Sequence, residues 1–353
     1  MNADTDADKR KRDHIDVVLA GHPSAPGPMP PASVASQLPG GFDAVTFVHC
    51  ALPEISLAEV DLATRFLGKP LKAPLLISSM TGGPVASERI NAHLAEAAQA
   101  LGIALGVGSQ RIALGAGGAG GLGADLRRRA PDILLLANLG AAQLGRGYGL
   151  DEARRAVEMI GADALILHLN PLQEAIQPGG DQDWRGLVDR IGALAGALEV
   201  PVVVKEVGFG LSADIARRLA GCGVAALDVA GAGGTNWALV EGARGIGATR
   251  AIASAFADWG IPTARAVREV RAACPDLPLI ASGGIRHGVD AAKALRLGAD
   301  LVGQAAGVLA AAVTSTEAVV EHFSVMEAQL RIACFCTGAR DLITLRQAPL
   351  REA

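Results

Sequence analysis

Short apolar runs, rich in leucine or β-branched residues, recur along the chain, and most are followed by a stretch with helical spacing. They are PLLISSM (74–80), GIALGVGS (102–109), DILLLANLG (132–140), ALILHLN (164–170), PVVVKEV (201–207), ALDVAG (226–231), PLIASGG (278–284) and LVGQA (301–305). Runs of that length bounded by glycine and polar residues read as buried strands. Between them, SERINAHLAEAAQAL, LDEARRAVEMI, LSADIARRLAG, PTARAVREVRAAC and GVDAAKALRLGA carry apolar residues at i, i+3 and i+4, as helices lying on a sheet do. Eight such alternations predict an α/β fold, a (β/α)8 TIM barrel over 74–353. An N-terminal arm and lead-in segment (1–73) precedes it, and a C-terminal helical extension completes it.

The connections are unequal. The segment from Gly231 to about Gly260, containing GAGGTNWALVEGARG, is long for a strand-to-helix loop, and long ordered loops are commonly functional. HPSAPGPMPPAS is expected to lack regular structure, and the acidic start MNADTDADK to be disordered. VGQAAGVLAAAVTSTEAVV reads as a strand plus a buried helix, because Gln304 and several Gly, Ser and Thr residues interrupt it. EHFSVMEAQLRIACFCTGARDLITL reads as helix packed beside the barrel. Neither a second domain nor an internal repeat beyond the barrel's own alternation is visible at this level.

Composition narrows the chemistry. Half of the 353 residues are apolar, glycine is abundant (44) and aromatics are scarce (Phe 7, Trp 3, Tyr 1), which suits close backbone approach to a ligand more than stacking on bases. A net charge of −4 gives no broad reason to bind nucleic acid or an anionic membrane, so any anion site must be local. The cysteines, Cys50, Cys222, Cys274, Cys334 and Cys336, form no CxxC pair, so neither a disulfide framework nor a zinc site is indicated. The charged N-terminus lacks the apolar stretch of a signal peptide, and a cytoplasmic location is expected.

In such a barrel the site lies at the carboxyl ends of the strands. Polar residues gather there: Thr81 after the first run, Ser109 and Arg111 after the second, Asn138 in the third, then His168, Asn170, Gln173 and Glu174 after the fourth. Lys205 lies in the fifth run, and Thr235 and Asn236 follow the sixth. SGGIRHG ends the seventh run and GQAAG the eighth, where barrel enzymes often bind phosphate with free backbone N–H groups.

The ordered motifs SSMTGG, GVGSQR, ANLGAAQL, HLNPLQE, KEVGFG, GAGGTNWALVEGAR, SGGIRHG and GQAAG resemble the type 2 isopentenyl diphosphate isomerases, from about residue 10 to 340. That family consists of FMN-dependent barrels interconverting isopentenyl and dimethylallyl diphosphate in isoprenoid biosynthesis by a 1,3-proton shift. The resemblance implies that Glu174 holds Mg2+. It implies that Arg10, Lys11 and His14, with Ser109, Arg111, His168, Asn170 and Gln173, meet the substrate. Met80, Thr81, Gly82, Ser109, Asn138, Lys205 and Thr235 would surround the flavin. Gly283, Gly284, Ile285, Arg286, Gln304 and Ala305 would hold its phosphate. Reduced FMN is the expected acid–base group, with NADPH or NADH serving only to reduce it. Gln173, Glu241 and His168 are the side chains expected to assist. Lys205 has its own rationale, because a cation near the N1 and O2 edge stabilises an anionic reduced ring, although an ion pair with Glu206 or Asp228 is the plainer alternative. A homo-oligomer acting on a small isoprenoid diphosphate, without nucleic acid or membrane, is expected.

Other readings remain open. A 2-hydroxy acid oxidase shares the barrel, but that family carries His-Gly-Gly after strand six, where this chain has AGAGGTNW. A purine-nucleotide dehydrogenase would need a loop cysteine nucleophile, and no cysteine follows a strand end convincingly. A non-catalytic flavin- or phosphate-binding barrel is the alternative of a different class.

Overall fold

The structure, a computed structural model, describes residues 3–21, 34–80, 87–115 and 120–351. Each of the eight apolar runs contains one strand: β1 (Leu75–Ile77), β2 (Ala104–Gly106), β3 (Leu135–Gly140), β4 (Ala164–Leu169), β5 (Val202–Glu206), β6 (Ala226–Asp228), β7 (Leu279–Ser282) and β8 (Leu301–Gln304). They are parallel and close in the order β8-β1-β2-β3-β4-β5-β6-β7.

Alternation sorts the side chains. Leu76, Ala104, Leu136, Ala164, Ile166, Val203, Ala226, Ile280 and Leu301 form one buried cluster inside the barrel. Their strand neighbours, such as Leu75, Leu105, Leu135, Leu165, Val204 and Val302, belong to a separate cluster that packs against the surrounding helices. An antiparallel hairpin, Thr64–Phe66 with Lys69–Leu71, adds Phe66 and Leu71 to the inner cluster.

Two arginine clamps brace the amino ends of β3 and β7. Arg127 donates to the carbonyls of Ala130, Pro131 and Ile133, to Gly161 O and to Asp163, while Leu135 N–H donates to the same carboxylate at 2.9 Å. Arg271 repeats the pattern with Cys274, Pro275, Leu277, Gly298 and Asp300, and Leu279 N–H donates at 2.8 Å. The segments RRRAPDILL and RAACPDLPL, each completed by a later GAD, are therefore a structural repeat at half-barrel spacing, contrary to the sequence-level expectation of none. Strand periodicity concealed it, because the shared residues lie in loops and helix ends.

Burial raises the Asp163 carboxyl, but the Leu135 N–H, Lys69 and Arg127 outweigh it and hold the group below its ordinary value. That stability is present above the unfolded carboxylate pKa and is lost as pH falls through the lower folded value. Arg127→Ala is expected to destabilise the protein by about 2–4 kcal/mol, since several carbonyls and a carboxylate lose their donor, and to move acid unfolding to higher pH. Urea melts at neutral and acidic pH check this, and an unchanged midpoint would reject the clamp.

The termini and the long connection depart from expectation. Helix α1 spans Ala3–Gly21, so residues 3 to 9 are helical rather than disordered. Once Val18, buried in the core, has docked the helix, propagation towards the N-terminus is inexpensive. The proline-rich segment lies mostly outside the described residues. Pro171 at the first position starts the short helix α2 (Pro171–Ile176). The segment after β6 is largely helical, with α3 (Trp237–Arg244) capped by the Asn236 side chain, followed by α4 (Ala248–Ser254). The C-terminal extension forms α5 (Thr316–Phe335), and no described helix is long and apolar enough to cross a membrane.

Candidate active site

One step beyond the apolar plug, the inward positions become polar. Alternation puts Ser78, Asn138, His168, Lys205, Asp228 and Ser282 at this level, with Gly106 and Gly303 leaving space. His168 lies 2.7 Å from Asn138 through Nδ1, and the amide oxygen can only accept, so Nδ1 carries the proton. Burial, and then the charges of Lys205, Lys11 and Arg111, push the imidazole pKa down to about 3. His168 is therefore neutral, with Nε2 available as an acceptor. Lys205 donates to Glu206 O at 2.9 Å and lies 3.5 Å from Asp228, so the ion-pair alternative is present in the structure. The backbone N–H of Asn138 donates to Gln110 Oε1, a fully buried amide that no local signal in the chain singles out.

Above this ring, α1 brings the basic arm to the strand ends. Lys11 Nζ donates to Ser109 O at 3.0 Å. Burial and the neighbouring Arg111 lower the Arg10 pKa, while Glu241 and Glu174 act in the opposite direction. Arg111 makes no ion pair among the described residues. Two cations are thus crowded together beside a mouth that can receive an anion.

Glu241, 1 % exposed on α3, is the hub of this region. Its Oε1 lies 2.9 Å from His14 Nε2 and accepts from Gln173 Nε2 at 2.9 Å, while Oε2 accepts from Arg244 at 2.9 Å. Burial alone would raise its pKa, but His14, Gln173 and Arg244 reverse the shift and keep it an ionised carboxylate. Arg244, three residues beyond Glu241 on the same helix, escaped selection, although that spacing is legible in VEGAR. Trp237 packs edge-on against His14 at 5.3 Å.

Glu174 is built differently. Asn170 donates to its Oε1 at 3.0 Å and the N–H of Asp181 to its Oε2 at 2.7 Å, with Gln177 adding a longer contact. Every one of these donors is neutral, and among the described residues no Lys or Arg forms an ion pair with Glu174. A buried carboxylate held only by neutral hydrogen-bond donors suits a hard cation that uses one carboxylate plus ligand oxygens. No cluster of three or more His, Cys, Asp or Glu capable of holding a metal occurs among the described residues.

The glycine loops after β6 and β7 touch through their backbones. A Cβ on Gly283 would lie 2.1 Å from Gly231 O, and one on Gly234 2.8 Å from Gly284 N. Among the described residues the N–H groups of Gly284, Ile285, Ala305, Ala306 and Gly307 have no backbone acceptor, an arrangement suited to an anion. The side chains beside them are committed. Gln304 donates to Ile285 O at 2.9 Å and contacts His322 of α5, tying the C-terminal extension to both loops. Arg286 turns outwards to Asp43 and Asp290, and its N–H also goes to Asp290. Met80, Ser109, Thr235 and Ala305 are half-buried at strand ends, while Thr81 and Gly82 lie outside the described residues.

A cavity of about 1160 Å3 lies beside the mouth, lined by Trp184, Leu187, Phe209, Leu219 and Trp259. Its wall is mostly apolar, with Asp189, Glu206, Ser212 and Arg218 among the lining residues, whereas the basic arm and the glycine loops meet at the mouth. Glu206 reaches this wall, and burial pushes it up to about 7 against the pull of the Phe209, Gly208 and Val207 amides.

Comparison with known proteins bears on the family and the fold. The FMN-dependent dehydrogenase family matches residues 172–352. An isopentenyl-diphosphate delta-isomerase of Xanthobacter autotrophicus is 76% identical over 98% of this chain and 97% of its own length. One of Stutzerimonas stutzeri is 65% identical over 97% and 96%. Among solved structures, a mandelate oxidase with benzaldehyde has a TM-score of 0.67 at 18% identity, covering 99% of each chain. A lactate oxidase of Pediococcus acidilactici has 0.66 at 18%, covering 98% of this chain and 94% of the other. The oxidases share the barrel, but the near-full-length identity is to isomerases, and the chain belongs to the FMN-dependent isopentenyl-diphosphate delta-isomerase family.

Proposed function

We propose that this protein interconverts isopentenyl and dimethylallyl diphosphate by a 1,3-proton shift, using FMN, Mg2+ and NADPH or NADH as flavin reductant. The observation that carries the reading is the meeting of the Arg10–Lys11 arm with the ionised, buried Glu241 and its partner Gln173 at the mouth that also bears the glycine cradle. Arg and Lys suit a diphosphate, and an ionised carboxylate can take up the proton lost from one carbon once the double bond has been protonated at the other.

Flavin fits the donor set on two grounds. Free amides surround the glycine cradle, and Ser78 Oγ and Asp228 Oδ2 are buried without hydrogen-bond partners among the described residues. Gly283, Gly284, Ile285 and Ala305 would hold the phosphate through the backbone, with Gln304 and Arg286 bracing the loops. Met80, Ser109, Asn138, Lys205 and Thr235 would line the ring and ribityl chain. When bound and reduced, the flavin supplies a nitrogen that can exchange protons. Glu174 would hold Mg2+ against the diphosphate. His168 would offer Nε2 as an acceptor, and Asn170 would keep Gln173 and Glu174 aligned. A homo-oligomer is part of the proposal, supported by the exposed Ile246, Ile252 and Trp259.

Anaerobic incubation with isopentenyl diphosphate, FMN, Mg2+ and NADPH tests the function. Dimethylallyl diphosphate should form without stoichiometric loss of reductant, whereas consumption of one NADPH per product would point to a redox enzyme. Replacing Arg10 and Lys11 together with Ala is expected to raise KM at least about 100-fold, at about 1.5–3 kcal/mol for each charged contact, with FMN affinity unchanged. Wild-type KM would leave the arm without a substrate role. Glu174→Gln should bind FMN normally but show an apparent Mg2+ affinity at least about tenfold weaker, with partial recovery at high Mg2+. An unaltered Mg2+ titration would remove Glu174 as ligand.

A further inference from the structure

We infer that Asp228, through its contact with Lys205, sets the charge of the flavin pocket and holds the reduction potential of bound FMN below the value Lys205 alone would impose. The inference rests on the FMN reading above, where Asp228 counted only as a buried acceptor atom and was given no part in the chemistry.

Asp228 ends β6, points inwards and is 1 % exposed. Its Oδ1 accepts from Ser282 Oγ at 2.7 Å and from Ala230 N–H at 3.1 Å, which fixes the carboxylate plane. Oδ2 lies 3.5 Å from Lys205 Nζ and has no hydrogen-bond partner among the described residues. Its charge is therefore directed at the ammonium rather than spread over donors. Lys205 is itself held by Glu206 O at 2.9 Å and Ser282 Oγ at 3.4 Å, so the three side chains form one network.

Isolated buried ion pairs are often no better for stability than apolar packing, so retaining one here calls for a reason beyond stability. An ammonium by itself would stabilise extra electron density on the reduced ring and raise its potential. A carboxylate a few ångströms behind it cancels part of that field. In an isomerase the flavin exchanges protons without net electron transfer, and a less stabilised reduced ring is the better base. Asp228 is in this sense a positioning residue that acts through Lys205.

The test is the midpoint potential of bound FMN, measured by dye-coupled photoreduction in the wild-type holoenzyme and in D228N, S282A and K205M. Asp228→Asn keeps the shape and the Oδ1 acceptor, and the midpoint is expected to rise. Ser282→Ala leaves both charges in place and should match wild type, whereas Lys205→Met should lower the midpoint. A fall in K205M with no rise in D228N overturns the inference while leaving the flavin reading intact. A rise in S282A equal to that in D228N overturns it too, since packing would then be the cause. A wild-type chain that retains no FMN, or a K205M midpoint equal to wild type, removes the parent reading and this one with it.

Discussion

Glu241→Gln is expected to lower kcat by about 100- to 10,000-fold, the range associated with a positioned acid–base group, while FMN content and the melting profile stay near wild type. Glu241 is buried, yet His14, Gln173 and Arg244 keep it ionised, so its evident chemical capacity is to accept a proton. The amide keeps the volume and can still accept from Gln173 or Arg244, but it has no basic oxygen. Steady-state turnover with a parallel flavin spectrum makes the measurement. A kcat within about twofold of wild type would reduce Glu241 to a brace for His14 and Arg244. Loss of flavin together with activity would show that the carboxylate acts on the fold instead.

The second large effect is expected at Gly283, where φ is +95° and an added Cβ would stand 2.1 Å from Gly231 O and 2.8 Å from Gly231 N. The obstacle is backbone, which no rotamer change relieves. Gly231 cannot retreat easily, because its own Cβ position lies 2.4 Å from Thr263 Cα. Gly283→Ala should therefore part the loops after β6 and β7, at about 3 kcal/mol or more from overpacking and the left-handed backbone together. Weakening of FMN affinity by at least about 100-fold is the readout, followed by fluorescence quenching, with circular dichroism to verify folding. A folded variant that retains stoichiometric FMN would show that the loops can separate without harm to the site.

Much of the barrel was legible because its signals are local. Strand runs such as ALILHLN and helical spacing such as LDEARRAVEMI record burial on one face of one element, and LDEARRAVEMI coincides with the observed helix Leu150–Ile160. Lys205, Asn138 and His168 could be placed at the carboxyl ends of their strands because a position within one apolar run needs no knowledge of its neighbours, whereas the register that sets them side by side comes from barrel closure. The helix over residues 3–9 is not legible, because the acidic composition suggests disorder and only docking of the following residues makes helix favourable. The Gly231–Gly260 connection was recognised as long, but its helices were not, since their apolar positions face α2 and one another rather than a sheet.

By itself the sequence determined the eightfold alternation, the polar residues at the strand ends and the glycines that only close backbone approach requires. The tertiary structure decided which of those residues meet. It set His14 and Gln173, which are 159 positions apart in the chain, on one oxygen of Glu241. It turned Arg286 away towards Asp43, and it left Asp228 facing Lys205 with no hydrogen bond to Oδ2 among the described residues. The physical reason is range: propensity and periodicity act over a few residues, whereas the charge state of Glu241 and the neutrality of His168 depend on burial and on groups that only barrel closure brings within a few ångströms.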